Sequence, residues 1–156
     1  YGFNIYLEYK NFEFTAFFQG VQGVDIISDL KKETDIWAGL NIGFLNKGKR
    51  LLDAWSASTP DSNIPALSLS DNNNEKRVSS YWVENGSYLK LRTIQLGYNF
   101  PQAIASKLAM QRLRMYVSAQ NLFTIKSSSF TGVDPENPNY GYPIPLNITF
   151  GLNVTF

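Results

Sequence analysis

The sequence predicts an all-β chain whose five antiparallel strands form part of a transmembrane β-barrel larger than the chain itself. Three observations carry this prediction. Five segments alternate apolar and polar residues with period two, which is the pattern of strands with two unlike faces. The connections between them alternate between short and long, and aromatic residues gather beside the short ones. No run of 18 apolar residues occurs, so no membrane-spanning helix is predicted.

The composition narrows the functional classes. The formal net charge of the 156 residues is +1, which offers no basic surface for nucleic acid. Charged residues are 17% of the chain, below the roughly 25% of an average soluble domain, and aromatics are 15%. The chain contains no cysteine and no histidine, so disulfides, thiolate metal sites and a histidine base are excluded. These features predict a protein that is not an enzyme.

The first two predicted strands form a hairpin. Residues 3–9 alternate in polarity, and residues 12–18 do so again after a tight turn at Lys10 and Asn11. Two-residue connections are the usual joints of antiparallel hairpins.

The third predicted strand, 88–100, is less regular than the others. Its second half alternates cleanly, but Lys90 and Arg92 fall in register with the apolar face. Either that half stands above the membrane or a β-bulge shifts the register. The following residues, 101–111, begin with proline and predict one or two helical turns around Ile104 and Leu108.

The last two predicted strands are 112–124 and 146–156, and the second of these alternates at every position. Its length fits the roughly 9–11 residues of a tilted transmembrane strand. The long connections, about 21–87 and 125–145, leave one side of the sheet, as the extracellular loops of outer-membrane barrels do. A β-sandwich with one packed face is the alternative, but it explains neither the strand length nor this asymmetry.

Aromatic residues mark the strand ends beside the short connections, as in the girdle at a membrane interface. They are Tyr9, Phe12, Tyr98, Phe100 and Phe156. Five strands cannot close a barrel, and a spanning sheet must close. The chain is therefore interpreted as residues 1–156 of one barrel domain, its last five strands, with the other strands N-terminal to Tyr1 or in other chains.

Several motifs resemble those of SusC/RagA-type TonB-dependent transporters. The matching runs are Trp55 with Ile64-Pro65, 82–92, Leu96-Gly97-Tyr98 before Pro101, 114–124 with Ala119 in place of Gly, 132–136, Tyr142-Pro143 and 150–156. They cover roughly residues 52–156 in the family's order, and their specificity comes from the set rather than from any single motif.

The resemblance implies a 22-stranded outer-membrane barrel with a plugged lumen. The plug domain, absent from this chain, would contact TonB, and a SusD-like lipoprotein would cover the barrel at the cell surface. The family imports oligosaccharides, other glycans or oligopeptides. Two alternatives stay open, an outer-membrane structural or adhesin barrel and a soluble carbohydrate-binding β-module.

The candidate site residues fall into three sets. Trp37, Trp55 and Trp82 could contact substrate or the lid protein, although packing of the loops is the competing interpretation. Phe156 ends the most regular strand and is predicted to be the signal for the barrel-assembly machinery. The polar positions of the strands predict a lumen lining, with outer-membrane lipid on the other face. The predicted lumen residues are Gln95, Asn99, Arg114, Gln120, Asn153 and Thr155.

No cofactor is predicted. Two oxygen-rich runs, 71–75 and 134–137, could hold Ca²⁺, but neither has the spacing of an EF-hand loop, and Asn and Asp are ordinary turn formers. A basic cluster at Lys47, Lys49 and Arg50 is predicted to be a solvated loop face.

Overall fold

The computed structural model describes residues 1–35, 47–68, 74, 77–138 and 141–156. The chain forms two compact units. The sheet unit contains residues 1–24, 86–127 and 143–156, and the loop unit contains residues 25–85 and 128–142. No helix among the described residues is long and apolar enough to cross a membrane.

The regular elements are short outside the main strands. In chain order they are β1 (Gly2–Tyr9), β2 (Phe12–Val21), β3 (Asp25–Ile27), α1 (Asp29–Asp35), β4 (Val83–Asn85), β5 (Tyr88–Asn99), α2 (Gln102–Lys107), β6 (Arg112–Lys126) and β7 (Asn147–Thr155). Two 3₁₀ turns, Lys49–Asp53 and Ser80–Trp82, lie in the loop unit.

The sheet unit is a single antiparallel sheet with the strand order β1-β2-β5-β6-β7. This confirms the five predicted strands, and α2 confirms the predicted helical turns after Pro101. The turn between β1 and β2 places Lys10 in the left-handed region, at φ 55°. Strands β3 and β4 lie at the start and at the end of the connection between β2 and β5. They pair with each other in the loop unit.

A β-bulge explains the irregular half of β5. Thr93 pairs with Phe17 and Gln120, but two positions earlier Leu91 pairs with Phe18 and Phe123. Between these pairs β5 has one residue more than β2, and that residue is Arg92. On the other side β6 has one residue more than β5, because Gln120 and Phe123 are three positions apart. Each bulge shifts the alternation by one position. Of the two alternatives that the sequence left open, the bulge is the one the structure shows.

The consequence of the bulge is that Lys90 joins the polar residues instead of the apolar ones. Its neighbours across the sheet are Gln19 on β2 and Thr124 on β6. The ammonium-bearing side chain is 1% exposed. On β6 the shift is accompanied by Asn121 in the left-handed region, at φ 56°, which asparagine adopts more readily than most residues.

The two faces of the sheet differ in chemistry. One face, named here the apolar face, leaves large hydrophobic side chains exposed, including Phe3, Leu7, Leu96, Met115, Ile148, Phe150 and Leu152. The opposite face, the polar face, carries the intervening residues. Soluble monomers rarely expose apolar surface on this scale. An exposed apolar face of this kind is what the lipid-facing wall of a barrel requires.

Helix α2 ends in a Schellman motif. The Met110 amide donates to the Ala105 carbonyl at 3.0 Å, and the Ala109 amide donates to the backbone carbonyl of Ser106 at 3.1 Å. Ala109 takes the left-handed position, at φ 55°, where glycine is the usual residue. The motif satisfies the last carbonyls of the helix and directs the chain into β6.

Glycine keeps the polar face flat at two positions. A Cβ at Gly97 would lie 2.8 Å from Nη2 of Arg114, and a Cβ at Gly151 would overlap the ring of Tyr116. Each glycine therefore lets a long side chain of β6 lie across a neighbouring strand, which is the close approach that glycine in a strand often marks.

Substitution of Gly151 by alanine tests this packing. The added methyl group must displace the Tyr116 ring, and overpacking of this kind costs about 1 kcal/mol when the ring can rotate away. Urea unfolding of the full-length protein in detergent should show a lower midpoint for Gly151→Ala. The effect should vanish in a Tyr116→Ala background, because the two side chains no longer compete. Gly141→Ala is the control, since a Cβ there meets nothing within 4 Å. Equal midpoints for the two alanine variants would contradict the packing.

Candidate functional site

All six residues predicted to line a lumen lie on the polar face of the sheet. Gln95 is level with Ser118 and Thr149, and Gln120 is level with Asn147. Asn99, Arg114 and Asn153 form one row across β5, β6 and β7, and Thr155 lies opposite Arg112. The period-two pattern thus places these side chains on one surface, as the sequence predicts.

A charged cluster crosses three strands of the polar face. Both Nε and Nη2 of Arg114 approach Oε2 of Glu13, at 2.9 and 2.8 Å. The side-chain Nδ2 of Asn99 donates to Oε1 of Glu13, and Nη2 of Arg112 donates to the side-chain Oδ1 of Asn99 at 3.3 Å. Each polar group of this cluster therefore has a partner on another strand.

Gly97 makes this cluster geometrically possible. Glu13 on β2 and Tyr116 on β6 both pair with Gly97, which lies between them on β5. Neighbouring strands are about 4.8 Å apart, so β2 and β6 are separated by roughly 10 Å. Arg114 spans that gap because no side chain at Gly97 stands in the way. A cavity of about 430 Å³ opens beside the cluster, lined by Glu13, Arg112, Arg114, Asn153 and Thr155.

In the loop unit a buried carboxylate joins three separate parts of the first long connection. Asp35 is buried at the end of α1. It accepts hydrogen bonds from Nε of Arg50 at 2.8 Å and from the Tyr81 hydroxyl at 2.7 Å. Burial, and then the bond to Asp35, raise the pKa of Tyr81 well above its ordinary value. The phenol therefore stays protonated and remains a donor.

A second buried carboxylate, Glu84 on β4, joins the two parts of the loop unit. It accepts the backbone amide of Thr131 at 3.0 Å and the Thr131 hydroxyl at 2.9 Å. The Lys31 ammonium lies 4.0 Å from Glu84 and 3.9 Å from the centre of the Tyr81 ring. Burial lowers the pKa of Lys31, an effect that Glu84 partly opposes.

The three tryptophans have different environments. Trp82 is 2% exposed, and its indole NH donates to the Arg77 carbonyl at 3.0 Å. Its ring meets that of Tyr81 edge-on, with centroids 5.0 Å apart. This arrangement favours the packing interpretation for Trp82, because its ring has no free surface for a ligand. Trp55 is 49% exposed. Trp37 lies outside the described residues.

The structure also locates Phe156, the basic cluster and the oxygen-rich runs that the sequence singled out. Phe156 follows β7 with its side chain exposed. Arg50 does not belong to a solvated basic face, because it pairs with Asp35. The described residues contain no group of three or more acidic side chains that could hold a metal ion. Asp134 instead accepts the amide of Glu136 at 2.9 Å, as in an Asx turn. Most of the run 71–75 lies outside the described residues.

Sequence reasoning missed Glu13 and Arg112 on the polar face and the buried partners in the loop unit. The alternation of β2 and β6 already places Glu13 and Arg112 among the polar positions, so that signal was available. The buried pairs had no such signal, since Asp35 and Tyr81 are 46 residues apart.

The chain is similar to three curated proteins of Formosa agariphila. TonB-dependent receptor P3 is 34% identical over 99% of the chain, TonB-dependent receptor P26 is 32% identical over all of it, and TonB-dependent receptor P39 is 30% identical over 99%. The chain spans about one sixth of the length of these relatives, 16–17%. No family model matches the chain.

Solved structures show the same likeness. The structure of the RagAB peptide transporter matches with a TM-score of 0.80 and 26% identity, covering 99% of this chain and 17% of that one. The RagAB peptide importer matches in its closed-closed state with a TM-score of 0.79 and in its open-open state with 0.77. The homologues are thus TonB-dependent receptors, the structural neighbours are RagA-type, and the resemblance found in the sequence is confirmed. None of these proteins is named as an enzyme, in line with the prediction.

Removal of the Asp35 carboxylate tests the buried network of the loop unit. Asp35→Ala leaves the Arg50 guanidinium and the Tyr81 hydroxyl without their acceptor. Breaking a buried ion pair costs about 3–5 kcal/mol, and the lower end applies because the Arg50 side chain is 26% exposed. Hydrogen exchange in the full-length protein should become faster across 25–35, 77–85 and 128–134. Asp61→Ala, at an exposed position, should leave exchange unchanged. Equal protection in both variants would show that the network does not stabilise the unit.

Proposed function

We propose, from the homology to TonB-dependent receptors, that the full-length protein is an outer-membrane nutrient importer energised through TonB. Residues 1–156 would contribute five strands to the wall of its barrel, with long extracellular loops at about 21–87 and 125–145. The plug domain and the remaining strands would lie in the part of the protein outside this chain. The chain itself spans about one sixth of the length of these relatives.

The observation that carries the proposal is the unlike chemistry of the two faces. The apolar face exposes Phe150, Leu152 and Met115 as a lipid-facing wall needs, whereas the polar face carries the Glu13–Arg114 pair and uncharged hydrogen-bonding groups. A lumen lined by such groups is wetted and can pass a polar solute. The proposed lumen residues are Gln95, Asn99, Arg114, Gln120, Asn153 and Thr155, joined by Glu13 and Arg112.

Oligopeptides are the substrate class that we favour over glycans. The similar solved structures are of a peptide transporter. The polar face also offers charges of both signs near one cavity, Glu13 against Arg112 and Arg114, and a peptide carries both a terminal ammonium and a terminal carboxylate. A SusD-like lipoprotein is the proposed partner on the side of the long connections. Trp55, with half of its surface exposed, is the proposed contact in that region.

Transport by the intact protein tests the substrate class. Cells that express it should take up labelled oligopeptides only when TonB is present, and the protein should co-purify with a surface lipoprotein from detergent-solubilised outer membranes. Uptake of oligosaccharides instead of peptides would reassign the substrate. Substrate binding at the cell surface without TonB-dependent uptake would favour an adhesin.

Cysteine labelling tests the barrel wall directly. Thr149 and Ile148 are adjacent on β7 and both exposed, with Ile148 at 58%, but they point to opposite faces. In a lipid nanodisc, a small water-soluble thiol reagent should label Thr149→Cys and should leave Ile148→Cys unmodified, because lipid excludes the reagent. After denaturation both should react, which controls for expression. Equal labelling of both positions in the native protein would favour the soluble β-module.

A further inference from the structure

The strand ends beside the short connections combine three features. They carry exposed cations, exposed aromatic rings and the short helix α2. Together these residues, 9–12, 98–112 and 153–156, are named here the short-connection rim.

The charged side chains in these segments are cations, whereas Glu8 and Glu13, which flank the first segment, lie on the polar face. Lys10 lies in the first segment, and Lys107 and Arg112 lie in the second; none of the three segments contains aspartate or glutamate. Lys10 and Lys107 are exposed. Lys10 is further held over the Tyr9 ring, with its ammonium 5.2 Å from the ring centroid. The two connections that carry these lysines lie two strand spacings, roughly 10 Å, apart along the edge of the sheet. An anionic surface is therefore the complementary partner.

Aromatic rings border these cations on the apolar face. Phe12, Tyr98 and Phe100 form a continuous contact, with centroids 4.8 Å apart for the first pair and 5.0 Å for the second. Tyr9 and Phe156 are exposed beside them. Aromatic rings of this kind are enriched at the level of lipid headgroups, where one end of the ring contacts water and the other contacts acyl chains.

Helix α2 extends the same surface. Ala105 is 1% exposed and holds the helix on the end of the sheet, and α2 contacts β6. Ile104 and Leu108 remain 44% and 53% exposed. Being four residues apart, they lie on one side of the helix, with Lys107 next to them. Apolar side chains flanked by lysine are the pattern of a helix that lies in a membrane interface.

We propose that the short-connection rim binds the phosphate groups of anionic glycerophospholipids through Lys10 and Lys107, with Ile104 and Leu108 inserted among the adjoining acyl chains. The inference rests on the proposed function, which places the apolar face in a membrane. It adds a lipid class and the residues that recognise it. The rim would thereby set how deeply the ends of the strands beside the short connections lie in one leaflet of the membrane.

The test uses the full-length protein in nanodiscs of phosphatidylcholine mixed with phosphatidylglycerol. After stepwise removal of lipid with detergent, native mass spectrometry counts the phosphatidylglycerol molecules that stay bound. We expect Lys10→Gln/Lys107→Gln to retain phosphatidylglycerol roughly 25-fold more weakly, about fivefold for each lysine near an anionic surface. Ile104→Ser/Leu108→Ser should weaken retention of both lipids.

The matched control is Lys49→Gln/Arg77→Gln, which removes the same charge from exposed positions of the long connections. It should retain phosphatidylglycerol as the unchanged protein does. Equal retention in the two charge variants would overturn the proposal. Equal loss of phosphatidylcholine and phosphatidylglycerol from Lys10→Gln/Lys107→Gln would also overturn it, because the two lysines would then not select anionic lipid. Thiol labelling at Thr149 and Ile148 in the same nanodiscs separates these outcomes from failure of the barrel assignment itself.

Discussion

Backbone hydrogen bonding is the constraint on which the rest of this structure depends. Hydrocarbon offers no partner to an amide or a carbonyl, so every spanning strand must be paired along its length. The continuous ladder β1-β2-β5-β6-β7 meets this demand between its members. Among the described strands, β1 and β7 each pair on one side only, and in the proposed barrel further strands would pair with them. A paired sheet also imposes period-two alternation, from which the two unlike faces follow.

Small departures from regularity give the polar face its chemistry. The bulges beside Arg92 bring Lys90 to the polar face, whereas an unshifted strand would direct its ammonium to the apolar face. Gly97 then leaves open the path by which Arg114 reaches Glu13 across an intervening strand. A half-buried pair of this kind gains little net energy from Coulomb attraction, because both charges lose water when the pair forms. The positions that break the strand pattern are thus the ones that arrange its charges.

The long connections form an organised unit of their own. Among its described residues, the buried carboxylates of Asp35 and Glu84 are each bound by donors from distant parts of the sequence. Removing a charge from water is costly unless its hydrogen bonds are replaced, so these donors must be held in place. The exposed groups of the unit, such as Trp55, are consequently presented from a fixed framework. A framework of this kind lowers the entropy lost when a partner or substrate binds.

The sequence by itself determined the five strands, the turn at Lys10, the helical turns after Pro101 and the common face of the six polar positions, because alternation and turn chemistry are local properties. It left open whether a bulge or exposure above the membrane explained Lys90. It identified Trp82 only as one of three similar tryptophans. The tertiary structure alone decided that Trp82 is packed and that Arg50 is paired with Asp35. Those outcomes depend on contacts between residues far apart in the chain, and such contacts leave no periodic trace in the sequence.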